Sequence, residues 1–213
     1  MSEELQELAG ICISQSPELN SLDTDELLSL AENFIGHIPE LVAIYQAIAE
    51  DRLPEINPLS FQQADDGYHF KDPVINFSKE QLVSYLAILI DVYDEIVPLG
   101  SVVDLKKEYL KDSLPVDKIE NVRIVITHRF LHNPQEKFYF PYAGVVYPLG
   151  SFGNERVLHF TSPFIERVVH RGFSDEQDEA FVLAMKRELL GDRHIHSYAF
   201  ASRDEVTGAK GAT

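Results

Sequence analysis

The sequence predicts an α+β fold: an acidic N-terminal helical region packed against a small, mostly antiparallel sheet that carries two C-terminal helices. Three observations lead there. Apolar residues recur every three or four positions through roughly the first hundred residues, and the period changes to two after residue 120. The later strands come as a cluster followed by helix and strand, not as alternating βαβ units. The chain accordingly divides into an acidic, mainly helical region over 1–118, an α+β region over 119–201 and a flexible tail over 202–213. One integrated domain over 1–201 is the alternative.

In the N-terminal half, Leu27, Leu30, Ala31, Phe34 and Ile35 recur at helical spacing after "SLDTDE", with Asp23 or Thr24 available as N-cap. Pro39 suits the first turn of a new helix, whose stripe is Leu41, Ile44, Tyr45 and Ile48. Residues 51–77 hold three prolines and the turn signal "DDG", so they read as a loop, with a short hairpin closing on Tyr68 to Phe70. Ser78 with Gln81 three residues on makes a capping box. The helix it begins carries Leu82, Tyr85, Leu86, Leu89, Tyr93 and Ile96, and Pro98 and Gly100 end it. A shorter helix is expected from Ser101 to about Lys111, with Asp104 completing a second, looser box.

From residue 120 the signals are those of strands. Val122, Ile124, Ile126, His128 and Phe130 alternate with Arg123, Val125, Thr127 and Arg129. "KFYFPYAGVVYP" is a second strand, which Pro141 marks as an edge or a bulged one, and "ERVLHF" a third. Ser162 and Pro163 then read as the start of a helix that Gly172 ends. In "SDEQDEAFVLAMKRELLG" Ser174 and Gln177 form a capping box, acids crowd the first turn, and Gly191 stops the helix. Its expected buried face is Phe181, Ala184, Met185 and Leu189. "RHIHSYAF" closes the fold as a strand, with His194, His196, Tyr198 and Phe200 sharing one face. The tetrapeptide "PLGS" occurs at 98–101 and again at 148–151, which reflects shared turn chemistry and not a duplicated unit.

Composition bounds the function. With 45% hydrophobic residues the chain has material for a real core. The N-terminus lacks the basic segment and apolar run of a secretory signal, and the longest apolar stretch, around "LVSYLAILI", is half the length of a bilayer span. The single cysteine, Cys12, sits among Leu8, Ile11 and Ile13 and reads as a small buried apolar residue. It excludes an intrachain disulfide and any multi-cysteine zinc site, and a reducing compartment, the cytoplasm, is expected.

The net charge of −17 is unevenly spread. Residues 1–118 hold 23 Asp/Glu against 7 Lys/Arg, and residues 119–213 hold 12 against 11. Phosphate binding needs clustered Lys and Arg, so neither nucleic acid nor an anionic membrane surface is an expected partner. An acidic face can steer a basic protein partner instead, and the cluster Asp23, Asp25 and Glu26 is the expected contact. Acidic helical faces that merely confer solubility are the simpler alternative.

Catalytic signals are sparse. "TGAKGAT" lacks the spacing and context of a phosphate loop, and "LGSFGN" is not a nucleophile elbow. His128 and His132 have helical zinc spacing but lie on a strand, where four residues span roughly 13 Å, too far for one ion. His194 and His196 are the reverse case. On a strand they share a face with about 7 Å between Cα atoms, close enough for two imidazoles to meet one divalent metal. A third ligand would have to come from His159, Asp65 or Asp66. Asp65, Asp66 and His69 also form a possible acid–base cluster, although Asp-Asp-Gly is equally what a turn requires. The expected function is therefore that of a non-enzymatic binding or accessory protein of the inhibitor, immunity or assembly-factor type, needing no cofactor. A metal-dependent hydrolase using His194 and His196 is the alternative.

Overall fold

A computed structural model describes residues 3–54, 59–64, 67–70, 74–107, 122–150 and 157–201. The fold is α+β. The chain forms two compact units, one from Met1–Asp94 with Lys186–His194 and one from Glu95–Met185 with Ile195–Thr213. The expected boundary at 118/119 and the expected tail over 202–213 lie outside the described residues.

The first unit is helical. It contains α1 (Glu3–Gln15), a 3-10 turn (Pro17–Leu19), α2 (Thr24–Glu32), α3 (Ile38–Ala49), a three-stranded antiparallel sheet, α4 (Lys79–Tyr93) and a π-helical turn (Arg187–Asp192). The small strands are β1 (Gln62–Ala64), β2 (Gly67–His69) and β3 (Asn76–Phe77). Leu8, Ala9, Cys12 and Ile13 on α1 bury one face, as do Leu27, Leu30 and Ala31 on α2 and Leu41, Ile44, Tyr45 and Ile48 on α3. The capping box at Ser78 is formed in full: Gln81 N–H donates to Ser78 Oγ at 3.2 Å, and Ser78 N–H donates to Gln81 Oε1 at 2.8 Å.

Helix α4 is the axis of this unit. Its residues from Tyr85 to Val92 are all buried, because "LAILI" leaves no polar stripe through its second half. Each large side chain buried there contributes about 1.5–3 kcal/mol. The helix stops at Tyr93, short of the expected end at Pro98, because Asp94 turns extended at φ −62°, ψ 132°. Tyr85 joins an aromatic cluster with Phe34 and Phe77, and its hydroxyl donates to Leu27 O at 2.6 Å. No described helix is long and apolar enough to cross a membrane.

The second unit holds a six-stranded sheet of β4 (Val102–Leu105), β5 (Val122–His132), β6 (Phe138–Val146), β7 (Leu158–Phe160), β8 (Ile165–His170) and β9 (His196–Ser197), together with α5, which begins at Glu176. The order is β7-β6-β5-β4-β8, all antiparallel, while β9 pairs parallel with β6. Val103, Leu105, Val122, Ile124 and Ile126 are buried, and Arg123 and Val125 on the alternate positions are half-buried.

Two expected helices are strands. Val102–Leu105 is β4, not the start of a helix at Ser101, and Ser162–Phe164 is a single 3-10 turn leading directly into β8. The two corrections are one, because β4 and β8 pair with each other. Their β-branched residues, Val102, Val103, Ile165, Val168 and Val169, sit in two short runs that mimic helical spacing, but stiff χ1 rotamers and ladder hydrogen bonds favour the sheet. Gly172, expected as a helix stop, serves close packing: a Cβ there would lie 2.1 Å from Leu99 O, and its N–H donates to Ser101 Oγ at 2.8 Å.

Pro141 does not mark an edge. It lies in β6, paired with β5 on one side. On the other side β9 takes Phe138 and Tyr139 and β7 takes Tyr142 to Gly144, so the residue with no N–H falls between two partners. Across the β5 pairing the register slips between Ile126 and His128, and Phe130, facing Pro141, is left-handed at φ 54°. Gly144 is needed near the slip, since a Cβ would lie 2.3 Å from Val125 O.

Helix α5 (Glu176–Lys186) begins later than expected. Asp175, not Ser174, is the cap: its Oδ1 accepts from Gln177 N–H at 3.1 Å and Asp178 N–H at 3.0 Å. Ser174 Oγ donates instead to Asp178 Oδ2 at 3.1 Å. The expected buried face is also corrected, since Phe181 is 47% exposed and Ala184 is exposed. Leu189 is buried, but in the π-helical turn of the helical unit.

Candidate interaction surface

The charge divides along the structural units. Met1–Asp94 with Lys186–His194 holds 20 Asp/Glu against 6 Lys/Arg, a net of −14. The sheet unit holds 15 against 12, a net of −3.

In the helical unit the described cations are occupied. Arg52 pairs with Glu50 at 2.7 Å, Lys79 with Asp51, Arg187 with Glu7 at 2.8 Å and Arg193 with Glu188 at 2.7 Å. Lys186 is buried. Exposed Glu3 and Glu4 on α1, Glu18 on the 3-10 turn, and Asp23, Asp25 and Glu26 at the start of α2 have no ion-pair partner among the described residues. Glu18 accepts from Ser16 Oγ at 3.0 Å.

The three predicted contact residues differ in role. Asp23 Oδ1 accepts from Asp25 N–H at 2.9 Å and Glu26 N–H at 3.0 Å, so this carboxylate caps α2. Asp25 and Glu26 lie exposed in the first turn, where the helix dipole favours negative charge. Neither has an ion-pair partner among the described residues.

The histidines are not arranged as the strand reading required. His194 is exposed and left-handed at φ 54°, directly after the π-helical turn, and belongs to the helical unit. Only His196 and Ser197 form β9, in the sheet unit. The alternation expected over residues 193–200 therefore does not exist, because the segment bends on both sides of a two-residue pairing. His159 is exposed on β7 with its ring 5.1 Å from Phe140. Among the described residues no group of three or more His, Cys, Asp or Glu side chains is placed to hold a metal ion. Asp65 and Asp66 lie outside them. His128, on β5, is exposed, with its Nδ1 2.9 Å from Thr127 Oγ1.

Three polar constellations were not anticipated. Asp104, 1% exposed, is flanked across the sheet by Arg123, with contacts of 2.7 and 3.2 Å, and by Arg167, at 2.8 Å to Nε. The Arg123 hydrogen bond first, with Arg167, holds the Asp104 carboxyl below its ordinary range. Arg129, nearly buried, pairs with Asp178 of α5 and lies 5.6 Å from the centre of the Phe181 ring. In the helical unit Cys12 and Tyr45 lie close enough to buried Asp91 to feel its charge. Burial first, and that charge second, push the thiol and the phenol up to about 12. At that value Cys12 is not a thiolate, which fits its expected role as a small core residue. Alternation in "VVDL" and "NVRIV" marks Asp104 and Arg123 as facing away from the core, but the β4–β8 pairing that joins them to Arg167 was hidden by the helical reading.

Residues 96–181 match a family model described as Domain of unknown function (DUF4176), a segment that nearly coincides with the stretch Glu95–Met185 of the sheet unit. No curated protein and no solved structure matches the chain. The matched segment lies within the sheet unit, and the acidic helical unit lies outside it.

Proposed function

We propose that the protein is a non-enzymatic binding or accessory protein, of the inhibitor, immunity or assembly-factor kind, whose acidic helical surface engages a basic protein partner. The observation that supports this is the charge accounting of the helical unit. Its net is −14, the described cations are already paired or buried, and Asp25 and Glu26 stand exposed at a helix start. A surface of that kind raises the encounter rate with a basic partner. It also repels nucleic acid and anionic lipid. The single buried cysteine suits a reducing compartment, the cytoplasm.

The hydrolase alternative has lost its geometric premise, since His194 and His196 do not lie on one strand face. The test is quantitative capture by the full chain, comparing wild type with the double variant Asp25→Lys/Glu26→Lys. A specific basic protein retained by wild type and lost by the variant is expected. Equal retention by both would leave the acidic surface with a solubility role alone.

A further inference from the structure

Lys186 ends α5 and is the first residue of the helical unit after the chain returns to it. It is 3% exposed, and its Nζ donates to the carbonyl of Val92 at 2.8 Å and of Asp94 at 2.7 Å. These carbonyls stand at the C-terminus of α4, where intrahelical donors run out and the dipole favours a cation. Asp94 is also the last residue before the chain leaves this unit. One buried side chain thus ties the point of departure to the point of return. A π-helical turn follows it immediately, a geometry that often marks functional positions.

The charged groups that act on it directly are Asp94 and Asp91. Helix α4 supplies Asp91 and Asp94, which favour the ammonium, but burial outweighs them and lowers the Lys186 pKa from 10.5 to about 8. Helix α1 supplies Cys12, and α3 supplies Tyr45, both beside Asp91. The π-helical turn supplies Arg187, held by Glu7 of α1, and Glu188, held by Arg193. A neutral amine keeps two N–H donors, as many as the two carbonyls need. Loss of the third proton removes a buried charge and can leave both hydrogen bonds in place.

We propose that Lys186 is a proton-linked clasp of the helical unit, tying the segment by which the chain leaves to the segment by which it returns, and holding more firmly once its ammonium has released a proton to solvent. The sign follows from linkage. The opened state, with a hydrated lysine, binds the proton more tightly, so the clasped state gains as pH rises above about 8. Cys12 works in the opposite direction from about 9, and the buried tyrosines from about 10, because their folded values are raised. The window that isolates Lys186 is therefore narrow, between about pH 8 and pH 9.

The experiment is an NMR titration of the full chain with lysine labelled at Cε and Nζ, joined to denaturant unfolding at the two ends of that window. The Lys186 amine, assigned through bonds, should titrate near 8, well below the ordinary lysine value of about 10.5. The wild-type unfolding constant should fall about threefold across the window, and Lys186→Met should abolish that fall. In the same variant, amide exchange at Asp94 and Arg187 should quicken by about tenfold or more. Titration of Lys186 at the ordinary lysine value of about 10.5 would overturn the proposal whether or not the variant folds. So would a wild-type unfolding constant that fails to fall, or unchanged exchange at either amide.

Discussion

Asp23 and Asp25 stand two residues apart and do different work. Asp23 spends its Oδ1 on two amides of α2, so Asp23→Ala should destabilise the protein by about 1 kcal/mol. Asp25→Ala should stay within about 0.5 kcal/mol, because its side chain is exposed at a helix start. Urea unfolding of the two variants checks the contrast, and equal effects would remove the distinction between cap and contact. Asp104 is the other informative residue. Its two arginines are 31% and 62% exposed at the side chain and can rehydrate, so Asp104→Ala should cost about 1–3 kcal/mol, below the value for a fully buried pair. The carboxyl is held low, so this contribution is present above about pH 4 and is lost as pH falls through the depressed folded value. Unfolding followed from neutral pH downward should show wild type losing its advantage over Asp104→Ala. A difference that is independent of pH would contradict the ion-pair assignment.

At the scale of elements, α5 forms as expected but turns a different face to its surroundings. Its acidic first turn and late basic residues announce a helix, and the helix is there. Amphipathic spacing places Phe181 on the expected buried face. The ring is instead half exposed, resting edge-on against Phe130 at 6.0 Å and near Arg129. Phe181→Ala should therefore cost about 1 kcal/mol, from one aromatic pair and one cation–π contact. A loss above about 3 kcal/mol in thermal or urea unfolding would place the ring in a core. The capping box of α4, the alternation of β5, the stripe of α3 and the Leu27, Leu30 and Ala31 part of that of α2 were legible because each is local, a cap and its third residue or a repeating period, whereas α2 ends at Glu32 and leaves Ile35 exposed. The pairing of β4 with β8 was not, because two short β-branched runs fit either period. Its partner lies some sixty residues away. For the same reason the central place of Pro141 in β6 was hidden, since only the outer pairing shows the gap that tolerates it.

At the scale of the whole molecule, the lopsided charge was plain in the sequence, and the unit boundaries keep most of it, at −14 against −3. The capping role of Asp23 within the acidic cluster was not legible, because a capping carboxylate looks like its neighbours until the amides that donate to it are known. The Lys186 clasp was equally invisible. Its two acceptors are main-chain carbonyls more than ninety residues earlier, and backbone groups leave no mark in a sequence. The claim that matters most is that the acidic helical surface exists to meet a basic partner. It is tested most directly by the association rate of the captured partner with wild type and with Asp25→Lys/Glu26→Lys, from low to physiological ionic strength, where screening acts over about 8 Å. The expected result is a wild-type rate that falls steeply with salt and a variant rate that is lower and flatter, with dissociation little changed. Rates that are equal for the two proteins and indifferent to salt would contradict it.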